Sequence, residues 1–127
     1  PAYEEIGQLI AARLPGEANG AFAYVEAADD FVGCSIYKEA GNKVLYRSCE
    51  AELENKIYDT RLQLEPKLRW AAMLYVISGE KFRVEFQFPE EIDRSKKGRY
   101  KDFGYLDRRE QLLEAMYGDK EIEYSDR

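Results

Sequence analysis

The chain has 127 residues, of which 45% are hydrophobic and 13% aromatic, and its formal net charge is −6 at pH 7. This composition predicts one globular domain with a single core rather than a disordered segment. An acidic chain repels phosphate backbones, so we expect basic protein partners and no nucleic acid. No apolar run approaches the roughly 20 residues that span a bilayer, and residues 2–14 lack the pattern of a signal peptide. We therefore expect no membrane contact and a cytoplasmic location.

The first part of the chain predicts one helix followed by three strands. Apolar residues recur at helical spacing up to Pro15-Gly16, which ends the helix. From Ala21 the period changes to two, and Asp29-Asp30 and Gly41-Asn42 mark the turns between strands. One face of these strands is small and aliphatic, which suits helix packing. The opposite face is aromatic and includes Phe22, Tyr24, Tyr37 and Tyr46.

The second part predicts a helix, a hairpin and a last helix. Residues 50–65 have apolar positions at helical spacing and are closed by Pro66. The stretch 68–88 predicts two strands joined at Gly79-Glu80, in a register that places Ile77 opposite Phe82 and Met73 opposite Phe86. The last helix ends at Gly118. The predicted fold is a single α+β domain, residues 1–127, with an antiparallel sheet of about five strands in the order α-β-β-β-α-β-β-α.

Cys34 and Cys49 fall opposite each other if Gly41-Asn42 closes a two-residue hairpin. Counting from that turn, they occupy a hydrogen-bonded pair, in which Cα atoms are about 5.5 Å apart. This spacing does not forbid a disulfide, but the expected cytoplasmic location favours free thiols. We therefore predict that neither cysteine forms a disulfide.

The sequence contains no histidine, which removes Ser-His and Cys-His pairs, the zinc-protease motif and the commonest general base. Two cysteines without a histidine are too few for a structural zinc site. Walker and dinucleotide-binding loops are also missing from the sequence. We therefore predict no metal, no cofactor and no catalytic residue. Carboxylates or a lysine are the remaining route to an enzyme.

Two acidic groups are candidates for contact with a basic partner. Glu26 with Asp29-Asp30 forms the first group, although Asp-Asp is more commonly a simple turn. Glu50, Glu52 and Glu54 form the second group, and acidic residues there also favour a helix N-terminus. A basic stretch follows the hairpin, for which a solvated loop is the favoured interpretation. Its residues are Arg94, Lys96, Lys97, Arg99 and Lys101.

The outer face of the central hairpin is a third candidate. Strict alternation places Trp70, Ala72, Leu74 and Val76 on this face, beside Arg83, Glu85 and Gln87. A sheet face directed only at solvent does not normally combine Trp, Leu and Val. The face is therefore either covered by a helix or a protein interface, and the pattern favours neither.

The chain resembles the YezG-like family of immunity proteins, which neutralise toxins of bacterial competition systems. The resemblance begins in the helix 3–10 and the strand 22–26, continues at Ser35-Ile36-Tyr37, and is clearest at Trp70 and over 79–88. It covers about the first three quarters of the chain. Glu80 departs from the family's Gly-Lys-Phe turn, and the tail from Tyr100 lacks the family's second Trp.

The resemblance implies an antitoxin that occludes a cognate toxin, expected to be a nuclease, and no catalytic motif transfers with it. A nuclease site is basic, so an acidic protein gains association rate and affinity from complementary charge. We expect a monomer or weak homodimer. The predicted partner-binding residues are Glu26, Asp29, Asp30, Glu50, Glu52, Glu54, Trp70, Arg83, Glu85 and Gln87.

Two other functions stay open at this point. Small acidic α+β chaperones of type III secretion have a similar size, charge and order of elements, and they bind an unfolded effector segment as homodimers. A carboxylate-based enzyme is the third hypothesis. A one-to-one complex with a folded basic domain would favour immunity, whereas dimerisation through an exposed strand would favour the chaperone.

Overall fold

The structure is a computed structural model that describes residues 1–93, 99–100 and 105–124. It is an α+β fold built on a six-stranded sheet. The strands of this sheet are β1 Phe22–Ala28, β2 Phe31–Ala40, β3 Lys43–Ser48, β4 Ala72–Ser78, β5 Lys81–Gln87 and β8 Glu121–Glu123. Their order across the sheet is β5-β4-β1-β2-β3-β8. A separate pair consists of β6 Ile92–Asp93 and β7 Arg99–Tyr100. The other basic residues of 94–101 lie outside the described residues.

Helices cover both faces of the sheet. The helices are α1 Ala2–Ala12, α2 Ala51–Leu62 and α3 Tyr105–Tyr117. On one face, Ile6 and Ile10 of α1 and Ile57 of α2 pack against the small side chains of β1 and against β4. On the other face, Tyr117 and neighbouring residues of α3 pack against the aromatic side chains. The central strand β1 is therefore buried on both sides, as its apolar composition requires.

The predicted hairpins are confirmed in their register. Ile77 lies opposite Phe82 and Met73 opposite Phe86, with Gly79 in the left-handed region (φ 66°) at the turn. The turns at Asp29-Asp30 and Gly41-Asn42 join β1 to β2 and β2 to β3. Turn chemistry and apolar alternation agree in these hairpins, which is why the sequence specifies them.

The sheet is mixed rather than purely antiparallel, because β8 pairs in parallel with β3. Strand β8 has only three residues, and its sequence, Glu-Ile-Glu, gives too short an alternation to predict a strand. No described helix is both long and apolar enough to cross a membrane.

Trp70 lies on the opposite side of the sheet from the one predicted. Ala71 and Ala72 together oppose Gln87: the Ala71 N–H donates to the Gln87 carbonyl (2.7 Å), and Ala72 is the register partner of Gln87. Both alanines pack in the core on the α3 side, while Trp70 joins the core under α1 and α2. This is a β-bulge, which reverses the alternation before it. Trp70 is only 2% exposed, so it is not a surface anchor.

Cys34 and Cys49 form a disulfide, so the prediction of free thiols is wrong for this structure. Their Cα atoms are 5.5 Å apart, at the paired position that the hairpin register predicts. The disulfide connects β2 to the residue that precedes the N-terminal end of α2. The prediction failed because it rested on the compartment and not on the geometry.

Gly7 allows α1 to approach β4 closely. A Cβ atom at this position would overlap the Tyr75 hydroxyl oxygen and lie 3.1 Å from its ring carbon Cζ. That hydroxyl donates a hydrogen bond to the carbonyl of Tyr3 (2.6 Å). The glycine therefore permits a polar contact between the first turn of α1 and the core of the sheet.

We predict that Gly7→Ala destabilises the fold by about 1–3 kcal/mol, although alanine normally favours a helix, because the new methyl group displaces the Tyr75 hydroxyl. Urea unfolding measures the change. Gly33→Ala is the matched control, since a Cβ there meets nothing within 4 Å. Tyr75→Phe should reduce the penalty of Gly7→Ala, and equal penalties in both backgrounds would contradict this account.

We also predict that the purified protein incorporates a thiol-alkylating reagent only after reduction, as judged by intact mass. Replacing both cysteines by alanine should lower the free energy of unfolding by up to about 3 kcal/mol, because the bond closes a segment with a sequence separation of 15. Alkylation of the unreduced, denatured protein would show that the thiols are free.

Candidate partner-binding surface

The turn between β1 and β2 is held in place by two residues of α2 and one residue of the segment before β4. The Asp29 carboxylate accepts a hydrogen bond from Arg61 (2.9 Å) and lies 3.5 Å from the guanidinium of Arg69. The Tyr58 hydroxyl donates to the Asp29 carbonyl (2.5 Å). Asp29 is therefore a structural residue of the turn, and its acidic group faces arginines of the same chain rather than a partner.

Arg61 is a buried cation that connects these contacts to the core. Its side chain is 6% exposed, although Asp29 itself is mostly exposed. The Arg61 Nε–H donates to the Trp70 carbonyl (2.7 Å), and the guanidinium lies 5.8 Å from the centre of the indole ring. A buried guanidinium requires an anion and hydrogen-bond acceptors, and Asp29 and Trp70 provide them.

The arginines also change the acidity of Asp29. The hydrogen bond from Arg61 lowers the pKa of the Asp29 carboxyl below its usual value, and the charges of Arg61 and Arg69 act in the same direction. Because the pKa is lower in the folded state, these contacts stabilise the fold above the unfolded pKa. Their contribution is lost as the pH falls through the folded pKa.

Asp30 and Phe31 are the exposed side chains of the same turn. The Phe31 ring is 50% exposed, and Asp30 makes no ion pair within the described part of the chain. A cavity of about 350 Å³ opens beside the ring and is also lined by Glu26, Tyr46 and Arg109. An exposed aromatic ring next to a carboxylate and a cavity is typical of a protein-binding surface. Sequence reasoning identified Asp30 and Glu26 but missed Phe31, which there is only the first residue of a strand.

The second acidic group lies at the other end of α2. Glu50 pairs with Arg13 (3.3 Å), whereas Glu52 is exposed and Glu54 half-buried. From Glu50 to Arg61 the helix rises by about 16 Å at 1.5 Å per residue. The two acidic groups are therefore not one cluster, although both border α2.

The outer face of the central hairpin is covered rather than open. Leu74 and Val76 are buried beneath residues of α3, and Gln87 is 6% exposed. The Gln87 Oε1 atom accepts no hydrogen bond from the residues that the structure describes. Of the residues predicted there, only Arg83 and Glu85 reach solvent, and they lie 4.0 Å apart. Of the interface predicted on this face, only the charged side chains of Arg83 and Glu85 are accessible to a partner.

A larger open groove, of about 730 Å³, lies between α1 and the β4–β5 turn. Glu4, Glu80 and Lys81 are among its polar lining residues, and Phe82, 40% exposed, stacks on Tyr75 with ring centres 4.9 Å apart. Burial raises the pKa of Tyr75 to about 12, and the charge of Glu4 acts in the same direction. The groove therefore combines an exposed aromatic ring with charged side chains at its rim.

Three or more metal-binding side chains do not gather anywhere in the described part of the chain. Comparison with protein-family models, with curated proteins and with solved structures finds no match to the chain. The resemblance to YezG-like immunity proteins therefore stays a prediction.

We predict that Asp29→Asn lowers the urea midpoint at pH 7, because it leaves the buried Arg61 without its anion. The difference from the unsubstituted protein should shrink as the pH falls through the lowered pKa of Asp29. Asp30→Asn is the matched control, with the same change on a side chain that makes no ion pair among the described residues. Equal midpoints for all three proteins at pH 7 would contradict the structural role of Asp29.

Proposed function

We propose that the chain is an immunity protein that binds a cognate bacterial toxin and blocks its active site. The observation that carries this proposal is the β1–β2 turn, which is fixed from within by Arg61, Arg69 and Tyr58 while it presents Phe31 and Asp30 to solvent. A surface that is already ordered loses less conformational entropy when it binds. In many interfaces, an aromatic side chain that becomes buried by the partner, beside a charged group, accounts for most of the affinity.

Charge supports a basic partner. The net charge is −6, and Glu52 and Glu54 on α2 make no ion pair among the described residues. A toxin that cleaves nucleic acid needs a basic active site, so its approach to this acidic protein is favoured electrostatically. The proposed surface therefore centres on the β1–β2 turn, and the charges of Glu52 and Glu54 add to the general attraction of a basic partner.

A second candidate function, a chaperone for a secreted effector, is favoured by a different observation. The groove between α1 and the β4–β5 turn is open, and the exposed ring of Phe82 forms part of its wall. An extended apolar segment of an effector would fit such a groove. A carboxylate-based enzyme stays the third hypothesis, and no contact between described residues favours it over the two binding functions.

We predict that a pull-down from the native lysate retains a folded basic toxin domain at low salt and releases it at high salt, because screening weakens charge pairing.

In calorimetry with that domain, Phe31→Ala and Asp30→Lys should each weaken binding about 10- to 100-fold. Glu17→Lys makes a comparable charge change on the loop before β1, at the opposite end of that strand, and should have a much smaller effect.

Phe82→Ala distinguishes the two binding functions. The immunity proposal expects an unchanged affinity for this variant, since Phe82 lies at the hairpin turn and not at the β1–β2 turn. Loss of binding through Phe82 with no effect of Phe31→Ala would favour the chaperone. Retention of an unfolded effector segment instead of a folded domain would do the same.

A further inference from the structure

The two edges of the large sheet differ in length and protection. One edge is β8, with three residues, whose Glu123 pairs with Lys43 of the neighbouring strand (3.2 Å). The other edge is β5, with seven residues, and no described strand pairs with its outer side. A long open edge invites pairing with another strand unless the protein protects it.

The hairpin register identifies which backbone groups of β5 point outward. Ser78 and Lys81 flank the two-residue turn and form a hydrogen-bonded pair, so alternate residues of β5 bond to β4. The N–H and C=O groups of Phe82, Val84 and Phe86 are the ones directed away from β4. A partner strand would therefore bond to these three residues.

The sequence of β5 is complementary to itself in the antiparallel direction. Val84 is the middle residue of Lys81–Gln87, so a two-fold axis at Val84 pairs the whole strand with its copy. This register brings together Phe82 and Phe86 of the second copy, and Arg83 and Glu85 of the second copy. Aromatic pairs then share one face and opposite charges share the other, which are favourable cross-strand combinations.

We propose that β5 is a homodimer interface, in which two copies of this chain pair their β5 strands antiparallel about Val84 and form one continuous sheet. The outward groups of Phe82, Val84 and Phe86 are the matched hydrogen-bonding set of such a pair. Pro89 lies two residues after the end of β5 and cannot donate to a ladder, so the pairing cannot extend far beyond Gln87. A two-fold contact is closed, since each copy uses its open edge once.

The charged side chains of β5 favour pairing with a second copy of the strand over pairing with an unrelated segment. Arg83 is mostly exposed and lies 4.0 Å from Glu85 of its own strand. In the dimer each of these side chains keeps that neighbour and gains an opposite charge across the two-fold axis. The ring of Phe82, 40% exposed in the monomer, becomes covered by the second copy.

Sedimentation velocity from about 10 μM to about 1 mM protein tests the proposal, with a monomer–dimer equilibrium expected. Val84→Pro removes an outward N–H and leaves the bonds to β4 in place, so the dimer should weaken about 30-fold. Circular dichroism and urea unfolding check that this variant keeps the fold.

A charge-exchange experiment tests the register without changing the backbone. Arg83→Glu alone and Glu85→Arg alone each place like charges across the axis, so neither variant should form homodimers as well as the unsubstituted protein. An equimolar mixture of the two restores opposite pairs and should dimerise.

Val84→Cys should form a disulfide-linked dimer under mild oxidation, whereas Lys81→Cys, which lies opposite Gln87 in this register, should not.

The proposal is overturned by a protein that stays monomeric over the whole concentration range. It is equally overturned by a dimer whose affinity is unaffected by Val84→Pro and by both charge variants, because the contact would then lie elsewhere. Growth into larger species would exclude the closed two-fold arrangement. None of these measurements needs a toxin. Dimerisation through an exposed strand also fits the chaperone, so the two functions are distinguished by the separate binding tests of Phe31→Ala and Phe82→Ala.

Discussion

The guanidinium of Arg61 connects α2 to the start of β4 and to the β1–β2 turn, which is much earlier in the sequence. It lies on α2, donates to the carbonyl of Trp70 just before the bulge of β4, and pairs with Asp29 at the β1–β2 turn. A cation at this depth is stable only with its anion and acceptors in place. The position of α2, the entry into β4 and the conformation of the turn therefore depend on one another, and the exposed pair Asp30 and Phe31 inherits its geometry from this contact.

The parts of the fold that could be predicted are those where local chemistry and apolar pattern agree. The three hairpin turns and the register of β4 with β5 are of this kind, because each residue's face follows from a turn with a fixed number of residues. The bulge at Ala71-Ala72 carries no such signal, since two alanines are compatible with either face of a strand. The prediction that Trp70 lies on the outer face of the hairpin is therefore wrong, and Trp70 is not an aromatic anchor on that face.

The candidate site was predicted in part, for a related reason. Sequence identifies acidic residues, but it does not show which of them already have a cation within the chain, as Asp29 has in Arg61 and Arg69. One signal was present: Leu53, Ile57 and Arg61 are spaced by four residues, which places the arginine on the buried face of α2. An arginine on such a face requires an anion within the chain, and the acidic β1–β2 turn supplies it through Asp29.

The two surfaces proposed here lie on different strands of one sheet. The β1–β2 turn belongs to central strands, whereas β5 is an edge, and β4 separates β5 from β1. Pairing of two β5 strands would leave Asp30 and Phe31 exposed in each copy. A dimer of this kind would therefore present two toxin-binding turns. Since the proposed dimer would form through β5 and the toxin would bind at the turn, each contact could be removed by substitution without changing the residues of the other.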